Sequence, residues 1–395
     1  MLRPMASDTT SIFDDAQHRA VHWLAAWDRQ GIHRTATAGD EAGAEWLARE
    51  ATALGAAVAI EEFALDRLDP VAAFLEIGGE RIAAVPVFDA PATDTAGIAG
   101  RLGPVGGDAE IAVAERSVYA VYSGEYERVR RAGGHRALVI LCAGESSGLA
   151  LSNAQSFRQP YGAPAIQVSS EAREAVLAAA AQGAPARLVS ESRRFPALGR
   201  NVVITLAGTD GRRAPLVVMT PRSSWWQSTA ERGGGIVCWL ESLRALLAAP
   251  PARPVVFTAN SGHELGHLGL DDFLARRSGW DRPQRDGGAT WVLYGANIGA
   301  AGGTLSIVSP AEDLRDLAAA KLQRTGQAHT ITPKTLVPSG ETRDIHRAGG
   351  HCLAINGTNR WFHLPQDRWP ETVDVPAITR VAIAAAEIVT ALARG

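Results

Sequence analysis

From Asn201 onward, short apolar runs alternate with segments in which apolar residues recur at helical spacing. This pattern predicts strands at 202–206, 216–219, 255–259, 291–294 and 352–355, and helices at 233–248, 264–277, 311–325 and 376–393. Strands that alternate with helices build a mixed, mostly parallel sheet with helices on both faces. The second half of the chain therefore predicts an α/β fold.

The first part of the chain has a different texture. Its pattern predicts helices at 12–30 and 41–54, a strand at 57–60, strand-like runs at 118–122 and 137–142, and an alanine-rich helix near 171–182. Between about 70 and 196 the runs are short and glycines are frequent. This change predicts a small β-rich module within the larger α/β domain.

Composition limits the function classes. The 395 residues are 46% hydrophobic, which is enough for a substantial core and for two or three domains. The 39 basic and 42 acidic residues give a net charge of −3 without a long single-sign block, so neither nucleic acid nor a membrane is expected as a partner. Three scattered cysteines and the lack of a secretory apolar region favour a cytoplasmic protein.

Candidate chemistry concentrates in one stretch, His263-Glu264-x-x-His267, directly after the predicted strand at 255–259. On a continuous helix, this spacing sets both imidazoles on one face to bind zinc while the glutamate activates water. Gly262 and Gly266 argue against such a helix, because glycine is a poor helix former. The same residues also allow a turn that follows a strand, with a different division of roles.

In that second interpretation, the stretch Ser-Gly-x-Glu-Leu-Gly resembles the signature of the M28 family of zinc aminopeptidases. The resemblance extends over nearly the whole chain, because the segments 131–140 and 162–168 look like a protease-associated insert. It implies an M28-like α/β catalytic domain formed by 10–66 plus 197–395, with the β-rich insert at 67–196.

The resemblance also implies a ligand set, which this chain retains only in part. Three positions keep a suitable side chain: Glu231, Glu264 and His363, the last within His363-Leu-Pro-Gln-Asp367. Two family ligands are missing, where the chain has Pro221-Arg222-Ser223 and Ala296. Two carboxylates and one imidazole suit a single divalent ion in place of two, and zinc fits best.

Further roles follow from the same resemblance. His263 stands where the family has its general-base glutamate, so it is expected to move protons, and Arg222 at the missing corner is expected to stabilise an oxyanion. Other residues are candidates for the surroundings of the ion or for the substrate pocket: His267, Asp367, Trp225, Trp226, Trp361 and Ser223. Ser223 lacks the Gly-x-Ser-x-Gly context of a serine nucleophile.

The function expected from the resemblance is hydrolysis of amide or peptide-like bonds in a small molecule or short peptide. Three alternatives stay open. A hybrid site could use His263 or His267 beside Glu264 and His363. The protein could be a metal-free pseudopeptidase that acts in binding or as a scaffold, or a metal-independent enzyme that uses His263, Glu264 and Arg222. The sequence also leaves homo-oligomer formation open.

Overall fold

The computed structural model describes residues 6–119 and 125–395. In this part of the chain the strands are β1 (Val58–Ile77), β2 (Glu80–Pro86), β3 (Ile98–Pro104), β4 (Ile111–Ser117), β5 (Ala137–Ala143), β6 (Ala165–Val168), β7 (Pro185–Leu206), β8 (Leu216–Pro221), β9 (Val255–Asn260), β10 (Thr290–Tyr294), β11 (Leu305–Val308), β12 (Thr330–Ile331) and β13 (His351–Gly357). The helices described are α1 (Ala6–Asp28), α2 (Ala38–Ala53), α3 (Glu125–Ala132), α4 (Arg173–Ala181), α5 (Thr229–Ala248), α6 (Leu268–Arg276), α7 (Glu312–Arg324), α8 (Glu341–Arg347) and α9 (Val375–Arg394).

The larger sheet has the order β1-β7-β9-β8-β10-β13-β11-β12. Its four central strands β9, β8, β10 and β13 pair in parallel, whereas β7 and β11 join them in antiparallel fashion. The carboxyl ends of the four parallel strands therefore lie along one edge. The predicted fold class, a mixed and mostly parallel sheet covered by helices, is confirmed.

Alternate residues of the central strands feed two separate cores, as the two-residue period of a strand requires. Leu216 and Val218 of β8 face a cluster with residues of α1, α2, α5, α7 and α9, whereas Val217 and Met219 face α6 and α8. The last helix, α9, is long and apolar enough to cross a membrane by length and composition alone. In the structure it packs against α1, α5 and α7, as a core helix does.

The strands β1 and β7 run far beyond the larger sheet and were predicted much too short. They are 20 and 22 residues long, against predicted runs of 57–60 and 202–206. Charged residues, prolines and exposed apolar residues interrupt the two-residue alternation in the middle of both strands, as in the exposed stretch 193–196 of β7, whereas the far ends are buried again at Leu75 and Leu188. There the pairings β1-β2-β6-β5-β4-β3-β7-β1 close into a ring. The domain boundaries and the identity of this ring as a protease-associated module stay predictions.

Two other predicted elements need correction. The helix predicted at 264–277 begins as a short 3₁₀ turn at His263–Leu265 and becomes α-helical only from Leu268, because Gly262, Gly266 and His267 all adopt left-handed conformations. Of the strand predicted at 118–122, Val118 and Tyr119 lie in a turn, and 120–122 lie outside the described residues.

The end of α1 is tied to the C-terminal part of the chain by Asp28. Its carboxylate accepts hydrogen bonds from the guanidinium of Arg368 at 2.9 and 2.8 Å, from the Thr229 hydroxyl at 2.6 Å and from the Trp369 amide at 3.0 Å. Burial would raise the pKa of Asp28, but the Arg368 and Thr229 bonds outweigh it and lower that pKa.

We expect Asp28→Asn to lower the free energy of unfolding at neutral pH by about 1.5–3 kcal/mol, the range for hydrogen bonds to a charged group. Because the pKa of Asp28 is lowered on folding, its stabilisation is present above the unfolded-state pKa and is lost as pH falls through the folded-state value. Urea unfolding at pH 7 and pH 3 should therefore show a smaller difference between the two proteins at pH 3. An equal difference at both pH values would contradict this assignment.

Candidate active site

A cavity of about 640 Å³ opens at the carboxyl edge of the parallel strands. Each of these strands brings residues to the cavity: Pro221 ends β8, His263 and His267 follow β9, Asn297 follows β10, and His363 follows β13. Open α/β sheets bind ligands at this edge. The opposite wall includes Arg116, Tyr119, Asn153 and Gln155 from the 67–196 segment, and α8 supplies Glu341, Arg343 and Arg347.

Two histidines in this cavity are each held by a carboxylate from α8. His263 Nδ1 lies 2.8 Å from both oxygens of Glu341, and His267 Nδ1 lies 2.5 Å from Asp344 Oδ2. Burial is the main cause that lowers the pKa of His263. Burial would also lower the pKa of His267, but Glu341 and Asp344 raise it overall. The two rings thus differ in charge preference although they are neighbours.

Among the described residues, His263, His267 and Glu341 form a buried group whose potential metal-binding atoms all lie within 4.8 Å of one another. Two imidazoles and a carboxylate are the ligands of many catalytic zinc sites. The contact of His267 with Asp344 is also typical, since metal-binding histidines usually donate their other ring N–H to a carboxylate. The donor chemistry therefore fits a divalent ion.

Glu264, the ligand expected from the sequence, is engaged in the protein interior. Its Oε1 accepts hydrogen bonds from the amide of Thr35 at 2.7 Å and from the Thr35 hydroxyl at 2.6 Å, and its Oε2 accepts one from the Ser223 hydroxyl at 2.6 Å. Ser223 also accepts a bond from the His263 amide at 3.1 Å. Glu264 thus anchors the β9 loop to the loops around Thr35 and Ser223.

Glu231 and His363, the other two expected ligands, do lie together. His363 Nε2 is 3.4 Å from Glu231 Oε1, and His363 Nδ1 is 2.5 Å from the carbonyl oxygen of Leu151. Arg232 Nη2 is 2.7 Å from the same Glu231 oxygen. Among the described residues, neither Glu231 oxygen nor His363 Nε2 makes a hydrogen bond of good geometry, so these buried groups meet as ion-pair contacts. The structure thus unites two members of the predicted triad and gives them a cationic neighbour.

Arg222, expected to stabilise an oxyanion, is fully buried. Its Nη1 donates to the backbone carbonyl and side chain of Asp40 at 2.6 and 2.7 Å, and its Nε donates to the carbonyl of Arg200 at 3.2 Å. In the described part of the chain, it is not among the residues that line the cavity. These contacts make Arg222 a connection between α2, β7 and β8.

Of the residues predicted to surround the site, His267 lines the cavity, whereas Ser223, Trp225, Trp226, Trp361 and Asp367 are not among the lining residues that the structure describes. Trp225 donates to Asn153 at 3.1 Å, and Trp226 donates to the carbonyl of His363 at 2.9 Å. Trp361 packs beside a core cluster of the 67–196 segment. Asp367 accepts from the amides of Ala230 and Glu231 at 2.8 and 2.9 Å and so caps α5. These contacts position the loop that carries His363 and the first turn of α5, which carries Glu231.

Backbone strain is concentrated at this cavity. Three of its non-glycine lining residues have positive φ angles: His267 (65°), Asn297 (68°) and His363 (60°). Such conformations are uncommon for residues with a side chain and cost of order 1–3 kcal/mol each. They persist where the surrounding structure holds them, and they cluster at functional sites. This geometry supports a functional role for the cavity.

Comparison with solved structures defines the fold class. The chain is similar to a zinc aminopeptidase from Bacillus subtilis, with a TM-score of 0.78, 18% identity, and coverage of 96% of this chain and 95% of that one. It is also similar to a peptidase M28 precursor from Shewanella amazonensis (TM-score 0.74, 14% identity, 98% and 96% covered) and to an aminopeptidase from Aneurinibacillus (0.71, 16%, 96% and 94%).

These similarities show that the chain has an M28-like zinc aminopeptidase fold, as the sequence resemblance predicted. A scan of protein-family models finds none that matches the chain. A comparison with curated protein sequences likewise finds no match. The fold is therefore established by structure, and the chemistry has to be argued from the site.

Glu341, Asp344 and Arg232 were missed as site residues by the sequence analysis. The sequence carries only a weak signal for Glu341 and Asp344. They are three residues apart on α8, close to the four-residue spacing of His263 and His267 after β9, so that two acids can contact two histidines. Nothing in the local sequence marks α8, a helix of 7 residues between loops, as a wall of the site. Arg232 has a clearer signal, since it directly follows the predicted ligand Glu231.

The role of Glu264 as an anchor predicts that Ser223→Ala lowers the free energy of unfolding by about 1.5–3 kcal/mol, because the buried carboxylate loses a donor. Ser224→Ala is the matched control. Its hydroxyl donates to the neutral carbonyl of Trp226 at 2.9 Å, so its loss should cost only about 0.5–1.5 kcal/mol. Chemical unfolding of both variants measures the difference, and equal losses would argue against the anchor.

Proposed function

We propose that this protein is a peptidase-like hydrolase that cleaves amide bonds of a small or short peptide-like substrate and uses one divalent ion, zinc by preference. The observation that carries the proposal is the buried group His263, His267 and Glu341 in a cavity at the carboxyl edge of the sheet. This ligand set differs from the one expected from the sequence. Of the expected ligands Glu231, Glu264 and His363, only His363 is among the lining residues that the structure describes.

The residues divide into two groups by chemistry. His263, His267 and Glu341 would hold the ion, which supplies Lewis acidity that polarises a carbonyl oxygen. His363 would hold and move a proton at Nε2, because its Nδ1 is occupied by the Leu151 carbonyl and its Nε2 faces Glu231. Glu231 would orient the imidazole ring, as carboxylates do in catalytic dyads.

The cavity supports a small substrate. Its volume of about 640 Å³ lies within the range of sites for small molecules. Phe362 stacks on Tyr119 with ring centroids 5.2 Å apart, and both line the cavity with Val118 and Leu293. This lining favours a substrate with an apolar or aromatic group beside the scissile amide.

A second candidate is a binding protein without turnover. It is favoured by the engagement of Glu264 with Thr35 and Ser223 and by the position of Arg232 beside Glu231, which together remove two of the three expected ligands. Hydrolysis of aminoacyl p-nitroanilides by the ion-loaded protein separates the two candidates. Binding of a non-hydrolysable amide to the cavity without any turnover would favour the second.

The proposed ligand set predicts opposite results for two histidines. His267→Asn should lower the affinity for Zn²⁺ or Co²⁺ by roughly 100-fold or more, whereas His363→Asn should leave it unchanged within a few-fold. Asparagine is chosen because it tolerates the positive φ of both positions. Elemental analysis and Co²⁺ absorption measure the ion, and thermal unfolding checks the fold. If His267→Asn still binds the ion and His363→Asn does not, the result would instead support the ligand set expected from the sequence.

Turnover should respond differently from ion binding. His363→Asn is expected to lower kcat for aminoacyl p-nitroanilides by about 10²–10⁴-fold, the usual effect of removing a proton-transfer group, while the ion stays bound. His346→Asn is a control, because this histidine lies near the site in sequence but is not among the lining residues that the structure describes. Full activity in His363→Asn would contradict the proton-transfer role.

Asp344 gives a more graded test. If His267 binds the ion through its other ring nitrogen, Asp344→Asn should weaken ion binding by about 10–100-fold, as is usual for the partner of a metal-binding histidine. Asp313→Asn serves as the matched control, since the exposed Asp313 contacts His351 at 3.0 Å away from the cavity lining that the structure describes. Titration with Co²⁺ measures the ion affinity of both variants. An unchanged affinity in Asp344→Asn would contradict the role of His267 as a ligand.

A further inference from the structure

The strongest unexplained feature outside the proposed ion site is the buried trio Glu231, Arg232 and His363. Glu231 has no exposed surface and Arg232 is 1% exposed, yet both Glu231 oxygens, His363 Nε2 and both terminal nitrogens of Arg232 lack hydrogen-bond partners among the described residues. Buried charges are expensive unless they are paired. The trio therefore has to be explained by the charge contacts among its own members.

The Arg232 guanidinium makes the closest of these contacts. Its Nη2 is 2.7 Å from Glu231 Oε1, and its Nε donates to the carbonyl oxygen of Ser223 at 2.8 Å, which fixes the position of the group. Burial would raise the pKa of Glu231, but Arg232 and then His363 lower it to about 2. A guanidinium stays charged at any ordinary pH. Glu231 is thus an ionised carboxylate with a permanent cation beside it.

A divalent ion would need the same atoms. Glu231 Oε1 and His363 Nε2, 3.4 Å apart, are an oxygen and a nitrogen suited to bind a divalent cation between them. A second cation placed there would lie within a few ångströms of the Arg232 charge, and like charges at such distances repel strongly in a buried site. The two arrangements exclude each other.

We infer that the Arg232 guanidinium fills the cation position between Glu231 and His363, so that this half of the site carries a fixed, non-exchangeable positive charge instead of an ion. The inference is independent of the ion proposed at His263, His267 and Glu341. It also reassigns the positive charge that the sequence analysis expected from Arg222, whose donors are engaged by Asp40 and Arg200.

The test removes the guanidinium in a background without the first site. The His267→Asn protein is expected to bind no Co²⁺ tightly. Adding Arg232→Gln should create a new site of about one equivalent, because an imidazole and a carboxylate are then left without a cation. The thermal unfolding temperature of this double variant should rise on addition of Zn²⁺. Arg232→Lys in the same background is the matched control and should gain no ion, because its charge is retained.

Adding His363→Asn to the double variant should abolish the new site, which assigns it to this trio. A folded Arg232→Gln, His267→Asn protein that gains no ion would overturn the inference, and so would an equal gain in the lysine control. If the glutamine variants do not fold, ¹⁵N NMR of the histidine rings in the His267→Asn protein, which lacks the first ion site, decides instead. The His363 signals should stay unchanged with excess Zn²⁺, and their displacement would overturn the inference. Failure of the ion site at His263 alters neither result.

Discussion

The site depends on one constraint, which is that several buried carboxylates at the same edge of the sheet must each be compensated from within the chain. Asp40 is paired with Arg222, Glu231 with Arg232, and Glu341 with His263. Glu264 receives three hydrogen bonds and Asp367 caps α5. Because an uncompensated buried charge costs several kcal/mol, these contacts determine which loops come together there.

The parts of this arrangement that could be predicted are those with a local signal. The strands and helices after Asn201 follow from periodicity, and the contact between Glu231 and His363 followed from the motif resemblance. The outer halves of β1 and β7 had no such signal, because charged residues, prolines and exposed apolar residues interrupt the two-residue alternation there. The pairing of Glu341 with His263 joins residues 78 positions apart, and no periodicity reports a contact of that kind. Local sequence patterns therefore predict the strands and helices of the sheet. The site depends on charge pairs between residues far apart in the chain, which such patterns do not predict.

The break in the β9 loop shows how backbone conformation overrides a helical pattern. The apolar pattern predicted a helix from 264 to 277, but left-handed conformations at Gly262, Gly266 and His267 delay the α-helix to Leu268. At Gly266 a Cβ atom would lie 2.7 Å from the carbonyl oxygen of Gln155, so the close approach of the 67–196 segment requires glycine there. The break lets both rings turn toward α8 instead of lying one turn apart on a helix.

The helix α8 and the two histidines depend on each other for their positions. A helix of 7 residues has little stability of its own, because isolated helices shorter than ~12–15 residues are marginal in water. It is held from one side by Ile345, which is buried with Trp291 and Cys352, and from the other by the contacts of Glu341 and Asp344 with the imidazoles. The imidazoles, in turn, have no other anchor for Nδ1 in the described structure. Anything that binds the histidines therefore also acts on α8 and on the cavity wall that it forms.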